Sequence, residues 1–253
     1  MSKGERERTR DKIRREMKQE RIKEQRIATF KKSLLIIVPI LLVIGLVVLI
    51  VTLSTPEDEK DFALGETSET VTAPHDSSDD PYLEFGAESD KPVMDLYLDF
   101  TCPFCKESYE ADKETLTEAV AQDNITLRVH PRTFLDRATK TDYSSRAAIA
   151  LTAVYEDDPD AAMQYIALLF EHQPPEGGKG LSNDELQELA SEAGSSVNTT
   201  EAIHAGEYRV WLQDTVEVEA IANTEGTPYI LVDGEHHTDW RDSEGLQRRL
   251  GLN

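Results

Sequence analysis

One segment of the sequence, residues 34–53, is apolar over about 20 residues and contains no charged side chain. A bilayer core requires about 20 residues of helix, whereas a buried helix of a globular domain is usually shorter and carries a polar stripe. The sequence therefore predicts one transmembrane helix over residues 33–54. Because a cleavable signal peptide has a short basic start and a shorter apolar stretch, we expect an uncleaved anchor.

Charge is distributed unevenly on the two sides of this segment. Residues 1–32 hold 13 Lys or Arg against 6 Asp or Glu, a net charge of about +7, and the whole chain carries −22, so the remainder carries about −29. Basic flanks stay on the cytoplasmic side of a membrane. We therefore expect residues 1–32 to be cytoplasmic in a single-pass protein of the cell membrane, and the rest to be extracytoplasmic. A surface this acidic repels nucleic-acid phosphate, which argues against RNA or DNA as a partner.

The residues after the apolar segment divide into a polar stretch and a folded region. Residues 55–81 are rich in Asp, Glu, Ser, Thr and Pro and poor in large apolar side chains, so we expect a disordered acidic linker. The folded region covers residues 82–253. It opens with strand patterns at residues 93–100 and 125–129, which are separated by a helical pattern.

Helical signals dominate the middle of the folded region. They cover residues 147–155 and 161–170 and include the capping box Ser182-Asn183-Asp184-Glu185. A strand pattern returns only at residues 228–232. The order predicts an α/β domain with a helical insertion at about residues 141–204.

The chain has two cysteines, Cys102 and Cys105, in a C-x-x-C spacing. This spacing occurs in half a zinc site, in a structural clip or in a redox pair. A structural zinc site uses four Cys or His ligands, and the sequence has no second C-x-x-C. A disulfide that closes so short a loop removes little entropy from the unfolded chain. A redox pair therefore explains the spacing best, with no metal and no cofactor.

The first of the two residues between the cysteines indicates how each thiol behaves. Pro103 favours a helix that begins there, because the first helical residue needs no N–H donor. Cys102 would then precede the helix N-terminus, whose partial positive charge favours a thiolate. We therefore expect Cys102 to attack disulfides and the more buried Cys105 to resolve the mixed disulfide.

Two sets of residues in this sequence resemble motifs of the DsbA-like thioredoxin-fold disulfide oxidoreductases. They are Asp99-Phe100-Thr101-Cys102-Pro103-Phe104-Cys105 with the preceding Gly86 and Lys91-Pro92-Val93, and Gly226-Thr227-Pro228. The resemblance covers about residues 82–253. It implies a thioredoxin-like fold with an inserted helical domain, here preceded by one N-terminal transmembrane helix. It also implies that Pro228 is cis and that Thr227 and Pro228 contact an extended substrate peptide.

Two further residues near the cysteines bear on the chemistry. The best-known oxidants of the family have a cationic His where this chain has Phe104, so the resemblance does not imply strong oxidising power, and Cys102 relies more on amides at the helix end. Asp99 is a candidate for modulating proton transfer near the thiols. An acidic residue at the end of a strand is, however, more often solvated.

These patterns lead to one expected function and two alternatives. We expect an enzyme that forms disulfides in reduced exported proteins through Cys102 and Cys105. The resemblance implies a quinone-linked membrane partner that reoxidises the pair, either DsbB-like or vitamin K epoxide reductase-like. A disulfide reductase or isomerase of the same fold remains open because sequence does not fix the reduction potential. A noncatalytic adaptor or chaperone that binds peptides also remains open.

Histidines and tryptophans outside these motifs have simpler interpretations. His130, His236 and His237 could bind a metal, but surface or hydrogen-bonded roles are more common. We expect Trp211 and Trp240 to pack in the core or at a domain seam.

Overall fold

A computed structural model describes residues 61–66, 72–74, 80–86 and 90–252. The predicted basic segment and transmembrane helix, residues 1–32 and 33–54, lie outside these ranges. Within the described residues, no helix is both long enough and apolar enough to cross a bilayer.

A mixed sheet of five strands, counted over the described residues, forms the centre of the domain. The strands are β1 (Leu83–Phe85), β2 (Val93–Leu98), β3 (Thr126–Pro131), β4 (Tyr229–Val232) and β5 (Glu235–His236). Their spatial order is β1-β3-β2-β4-β5, in which β2 and β3 are parallel and the other neighbours are antiparallel. Because β2 is the central strand, its C-terminal end leads the chain directly from the core into the cysteine motif.

Helices flank the sheet and form the insertion. They are α1 (Pro103–Ala121), α2 (Tyr143–Asp157), α3 (Pro159–Glu171), α4 (Asn183–Glu192), α5 (Thr199–Ala205), α6 (Arg209–Trp211), α7 (Glu217–Asn223) and α8 (Ser243–Arg249), and a π-helical turn at Leu212–Val216 joins α6 to α7. The insertion is built around α2, which is buried from Tyr143 to Tyr155. The predicted thioredoxin-like α/β fold with a helical insertion is confirmed.

Local sequence signals explain where two helices of the insertion begin. In α4 the predicted capping box is present, because Ser182 accepts from the N–H of Glu185 and the Glu185 carboxylate accepts from the N–H of Ser182. The Asp158 side chain caps α3 by accepting from the N–H of Asp160, and Pro159 is the first helical residue.

A buried ion pair fixes α7 on the sheet. Arg132, the residue directly after β3, donates from Nε and Nη2 to the two carboxylate oxygens of Glu217 at 3.0 and 2.9 Å. The Tyr97 hydroxyl of β2 donates to Glu219 at 2.9 Å. Because α7 leads into the loop that contains Thr227, these contacts also position that loop.

Part of the predicted linker packs on the insertion. We call residues 61–66 the N-terminal strap. Asn183 donates from its backbone N–H and its side chain to carbonyls of the strap at 2.7 and 2.8 Å, and Arg209 donates to another at 2.7 Å. The Phe62 ring lies 5.3 Å from the Arg146 guanidinium. The prediction of a disordered linker over residues 55–81 therefore does not describe the strap, which belongs to the compact unit Glu59–Asn253.

Candidate active site

Cys102 and Cys105 lie at the junction between β2 and α1. Cys102 has an extended backbone with φ −76° and ψ 117°, and α1 begins at Pro103 as the sequence predicts. The N–H of Cys105 donates to the Cys102 carbonyl at 3.1 Å. Both cysteines are unbonded thiols, with Cys102 5% and Cys105 1% exposed. Cys102 is thus the more accessible thiol and stands at the positive end of the helix.

The two thiols differ strongly in acidity. A hydrogen bond from the Cys105 thiol, followed by the backbone N–H groups of Cys105 and Phe104, outweighs burial and lowers the pKa of Cys102 to about 6. Burial and the adjacent Cys102 thiolate raise the pKa of Cys105 well above its ordinary value. At neutral pH the pair therefore holds one thiolate, at Cys102, and one thiol, at Cys105.

The loop between α7 and β4 lies against Cys102. The Thr227–Pro228 peptide bond is cis, as the resemblance implied. The Cys102 Sγ atom lies 3.6 Å from the Thr227 carbonyl oxygen. The fold therefore brings together two motifs that are more than a hundred residues apart in sequence.

Asp99 is fully buried rather than solvated. Its carboxylate accepts hydrogen bonds from the Ser144 hydroxyl at 2.7 Å and from the N–H groups of Thr101 and Leu135 at 2.8 and 3.0 Å. Burial nevertheless raises its pKa to about 7, because these donors offset only part of the cost of desolvation. Its backbone N–H donates to the Cys105 Sγ atom at 3.4 Å. Asp99 therefore touches the pair through its backbone and holds the cysteine turn through its side chain.

The insertion contributes neighbours that sequence patterns did not predict. Ser144, at the start of α2, bonds the Asp99 carboxylate and lies 2.8 Å from the Thr101 hydroxyl. Gln173, after the end of α3, donates to carbonyls of the cysteine turn. Both residues are distant in sequence from Cys102 and carry no motif, so only the packing of the insertion reveals them.

An aromatic group lies beside the cysteines at the surface. Phe104 is 52% exposed, and its ring centroid lies 5.9 Å from that of Trp240. The Arg241 guanidinium stacks 3.7 Å from the Trp240 ring centroid. Trp240 is half-buried and packs against the core, as expected, and its ring also borders the active turn.

Two of the candidate histidines, His130 and His236, contact other side chains. His130 is buried, lies 3.1 Å from the Asp95 carboxylate and stacks on Tyr97. His236 stacks on Tyr229. Over the part of the chain that the structure describes, no group of three or more His, Cys, Asp or Glu residues is arranged to hold a metal ion.

Comparisons with known proteins agree with this geometry. DsbA from Mycobacterium tuberculosis, in its reduced form, is 25% identical, with a TM-score of 0.59 over 68% of this chain and 91% of that one. DsbG from the same organism is 26% identical, with a TM-score of 0.59 over 69% and 89%. The thiol-disulfide oxidoreductase MdbA from Corynebacterium diphtheriae is 22% identical, with a TM-score of 0.56 over 77% and 100%, which shows a shared fold.

One sequence relative is a much longer protein. The serine/threonine-protein kinase PknE of Mycobacterium tuberculosis is 29% identical over 171 residues, which are 63% of this chain and 30% of the kinase. The chain thus spans less than a third of the length of that relative. A family model described as Thioredoxin matches residues 78–251, the region that contains the sheet, the insertion and the cysteine pair. The chain therefore belongs to the thioredoxin family, with a DsbA-like fold.

Proposed function

We propose that the chain is a thiol–disulfide oxidoreductase that forms disulfide bonds in exported proteins through Cys102 and Cys105. One observation carries this proposal. The Cys102 thiol, whose pKa is about 6, stands before a helix N-terminus and 3.6 Å from the carbonyl of Thr227, which precedes a cis proline. Disulfide exchange with an extended peptide requires an acidic thiol beside a backbone segment that can pair with the peptide.

The reaction proceeds by two thiol–disulfide exchanges. A substrate thiolate attacks the Sγ atom of Cys102 in the oxidised pair, which forms a mixed disulfide and releases the Cys105 sulfur as a thiolate that takes up a proton. A second substrate thiolate attacks the substrate sulfur of the mixed disulfide and releases the Cys102 thiolate. The substrate loses two electrons and gains a disulfide, while the Cys102–Cys105 pair is reduced to one thiolate and one thiol.

The acidity of Cys102 favours oxidation of substrates over their reduction. A thiolate that is stabilised in the folded protein stabilises the reduced pair, and therefore makes the disulfide a stronger oxidant. Phe104 supplies no positive charge, so the stabilisation comes from the Cys105 thiol and the amides at the start of α1. A reductase of the same fold would carry a less acidic Cys102.

Thr227 and Pro228 are the proposed substrate contacts. The Thr227 carbonyl faces Cys102, and β4 begins directly after Pro228. An extended substrate segment that pairs with the Thr227 backbone would bring its own cysteine to Cys102. Asp99 is proposed to act on Cys105 through its backbone N–H, while its carboxylate oxygens accept from Ser144, Thr101 and Leu135 and hold the cysteine turn.

The proposed location is the outer face of the cell membrane. The apolar residues 34–53 and the basic residues 1–32 support a single-pass anchor with a cytoplasmic N-terminus. The proposed substrates are reduced exported proteins. The proposed reoxidant is a quinone-linked membrane protein of the DsbB-like or vitamin K epoxide reductase-like kind, since each turnover leaves the pair reduced.

Two assays on the full-length protein test the proposal. We expect the oxidised protein to restore activity to reduced ribonuclease and to reduce insulin poorly, and Cys102→Ser to do neither. Cys105→Ser is the matched control: its Cys102 thiolate can still attack a disulfide of insulin, releasing the other insulin sulfur as a thiolate, and the mixed disulfide should accumulate because no second cysteine resolves it. Strong insulin reduction with a low reduction potential against glutathione would indicate the reductase. Client binding without any disulfide exchange by the wild type would indicate the adaptor.

A further inference from the structure

The side chain of Gln173, a residue of the insertion, binds the cysteine turn. Its Nε2 atom donates to the Phe100 carbonyl at 2.9 Å and to the Cys102 carbonyl at 3.0 Å. These two carbonyls flank Thr101, so one amide group bridges both sides of the turn that carries the nucleophile. Nε2 has two hydrogens, and both are used.

The start of α1 binds back to the same region of the insertion. Lys106, in the first turn of α1, donates from Nζ to the carbonyls of Phe170 and Glu171 at 2.6 and 3.3 Å. These are the last residues of α3, and the Phe170 carbonyl also accepts from the N–H of Gln173 at 3.2 Å. Gln173 follows two residues later, so contacts in both directions join the end of α3 to the cysteine turn.

The Gln173 contacts bear on the charge at Cys102. The carbonyl oxygens of Phe100 and Cys102 are the negative ends of peptide dipoles next to the sulfur, and a donor that binds them reduces the negative potential there. The same contacts hold the turn so that the N–H groups of Phe104 and Cys105 stay directed at the sulfur.

We propose that Gln173 is a positioning residue for the nucleophile, which stabilises the Cys102 thiolate by binding the Phe100 and Cys102 carbonyls. The inference rests on the proposed function only in that Cys102 is taken as the attacking thiol. It assigns to the helical insertion a direct part in setting the acidity of the active site. Gln173 reaches the reacting sulfur only through the backbone.

The test measures the rate of Cys102 alkylation by iodoacetamide against pH, using the reduced full-length protein. Cys105 is almost fully buried and its thiol is not acidic, so Cys102 accounts for the reaction. The midpoint of the curve of alkylation rate against pH reports the pKa of Cys102. In Gln173→Leu, which loses both hydrogen-bond donors, we expect this midpoint to rise by about half a pH unit or more. In Gln173→Glu we expect a larger rise, because a carboxylate of nearly the same shape donates nothing and adds negative charge.

Gln187→Leu is the matched control. Gln187 also lies in the insertion, where its side chain donates to the Val197 carbonyl and accepts from the N–H of Thr199. We expect this variant to lose thermal stability and to keep the wild-type midpoint, which separates a general loss of packing from an effect on the thiol.

A wild-type midpoint in Gln173→Glu, or an equal shift in Gln187→Leu, would overturn the inference. The Gln173→Glu variant tests the inference even if Gln173→Leu does not fold. Alkylation does not depend on catalysis, so a protein inactive towards ribonuclease whose midpoint still responds to Gln173 would refute the proposed function and leave the inference standing.

Discussion

The Cys102 thiol ionises far below its ordinary range in the folded, reduced protein, with a pKa of about 6. Unfolding restores an ordinary value of about 8.5. Because the folded pKa is the lower one, the thiolate stabilises the fold above the unfolded pKa, and this contribution is lost as the pH falls through about 6.

We therefore predict a pH-dependent difference between the reduced wild type and Cys102→Ser. The free energy of unfolding of the wild type, minus that of the variant, should fall by about 2 to 3 kcal/mol between pH 8 and pH 5. Urea denaturation under reducing conditions measures it. Cys105→Ser should retain most of the wild-type pH dependence, because the serine hydroxyl can still donate to the Cys102 thiolate. If the difference between the wild type and Cys102→Ser did not change with pH, the Cys102 thiol would not be acidic.

Asp99 should produce the opposite pH dependence. Burial raises its pKa to about 7, so the folded state holds a proton that the unfolded state releases at about pH 4. Its contribution to stability is present below about pH 4 and is lost as the pH rises to about 7. We predict that the stability of the wild type relative to Asp99→Asn falls by a few kcal/mol over this range, measured by urea denaturation at each pH.

Asp157→Asn is the control for this experiment. Hydrogen bonds from the Ser195 hydroxyl and the N–H of Ser196 lower the pKa of Asp157. Its contribution therefore grows as the pH rises, in the opposite direction to that of Asp99. If the free energy of unfolding changed with pH equally in Asp99→Asn and in the wild type, the raised pKa of Asp99 would be contradicted.

Among the structural elements, the N-terminal strap lies close against the backbone of the insertion at Gly65. A Cβ atom at Gly65 would lie 2.2 Å from the His204 carbonyl oxygen, so alanine cannot be placed there without moving the strap. We predict that Gly65→Ala lowers the free energy of unfolding by about 1 to 3 kcal/mol and speeds amide exchange in residues 61–66. In Gly226→Ala, where nothing lies within 4 Å of the added carbon, exchange in the strap should match the wild type.

The ion pair between β3 and α7 is the second element-scale contact that can be tested. Arg132 is 3% exposed and Glu217 is 12% exposed, so Glu217→Gln leaves a buried guanidinium without its charge partner. We predict a loss of about 3 kcal/mol, measured by denaturant unfolding. Glu244→Gln, which breaks an exposed pair with Arg248, should cost less than about 1 kcal/mol. If the two variants lost equal free energy of unfolding, the buried pair would contribute no more to stability than the exposed one.

Short-range patterns predicted the elements whose signals lie within one segment. The strand at β2, the start of α1 at Pro103 and the capping box at Ser182 all follow from neighbouring residues. β1 has only three residues, Leu83–Phe85, too few for alternation to identify it as a strand. Gln173, Ser144 and the strap act through contacts with distant residues, which no local period encodes. The parts of the site that the sequence did not predict are therefore those that depend on tertiary packing.

At the scale of the whole molecule, charge is the property that a client meets first. The chain carries −22 at pH 7, with the excess of acidic residues after residue 32. A field of this size attracts cationic partners and repels anionic ones, and salt screens it over about 10 Å at 0.1 M. The encounter rate with a client should therefore depend on the charge of the client rather than only on its cysteine.

We predict that ionic strength changes the rate of disulfide exchange in opposite directions for clients of opposite charge. Three dithiol peptides that share one sequence around the cysteines and differ only in flanking Lys, Glu or Ser residues would be mixed with the oxidised full-length protein. Between about 20 and 300 mM salt, the rate constant should fall several-fold for the cationic peptide, rise for the anionic one and change little for the neutral one. Stopped-flow fluorescence measures these rates. If the three peptides responded alike, steering by net charge would be excluded, and local contacts around Phe104 and Arg241 would determine the choice of client.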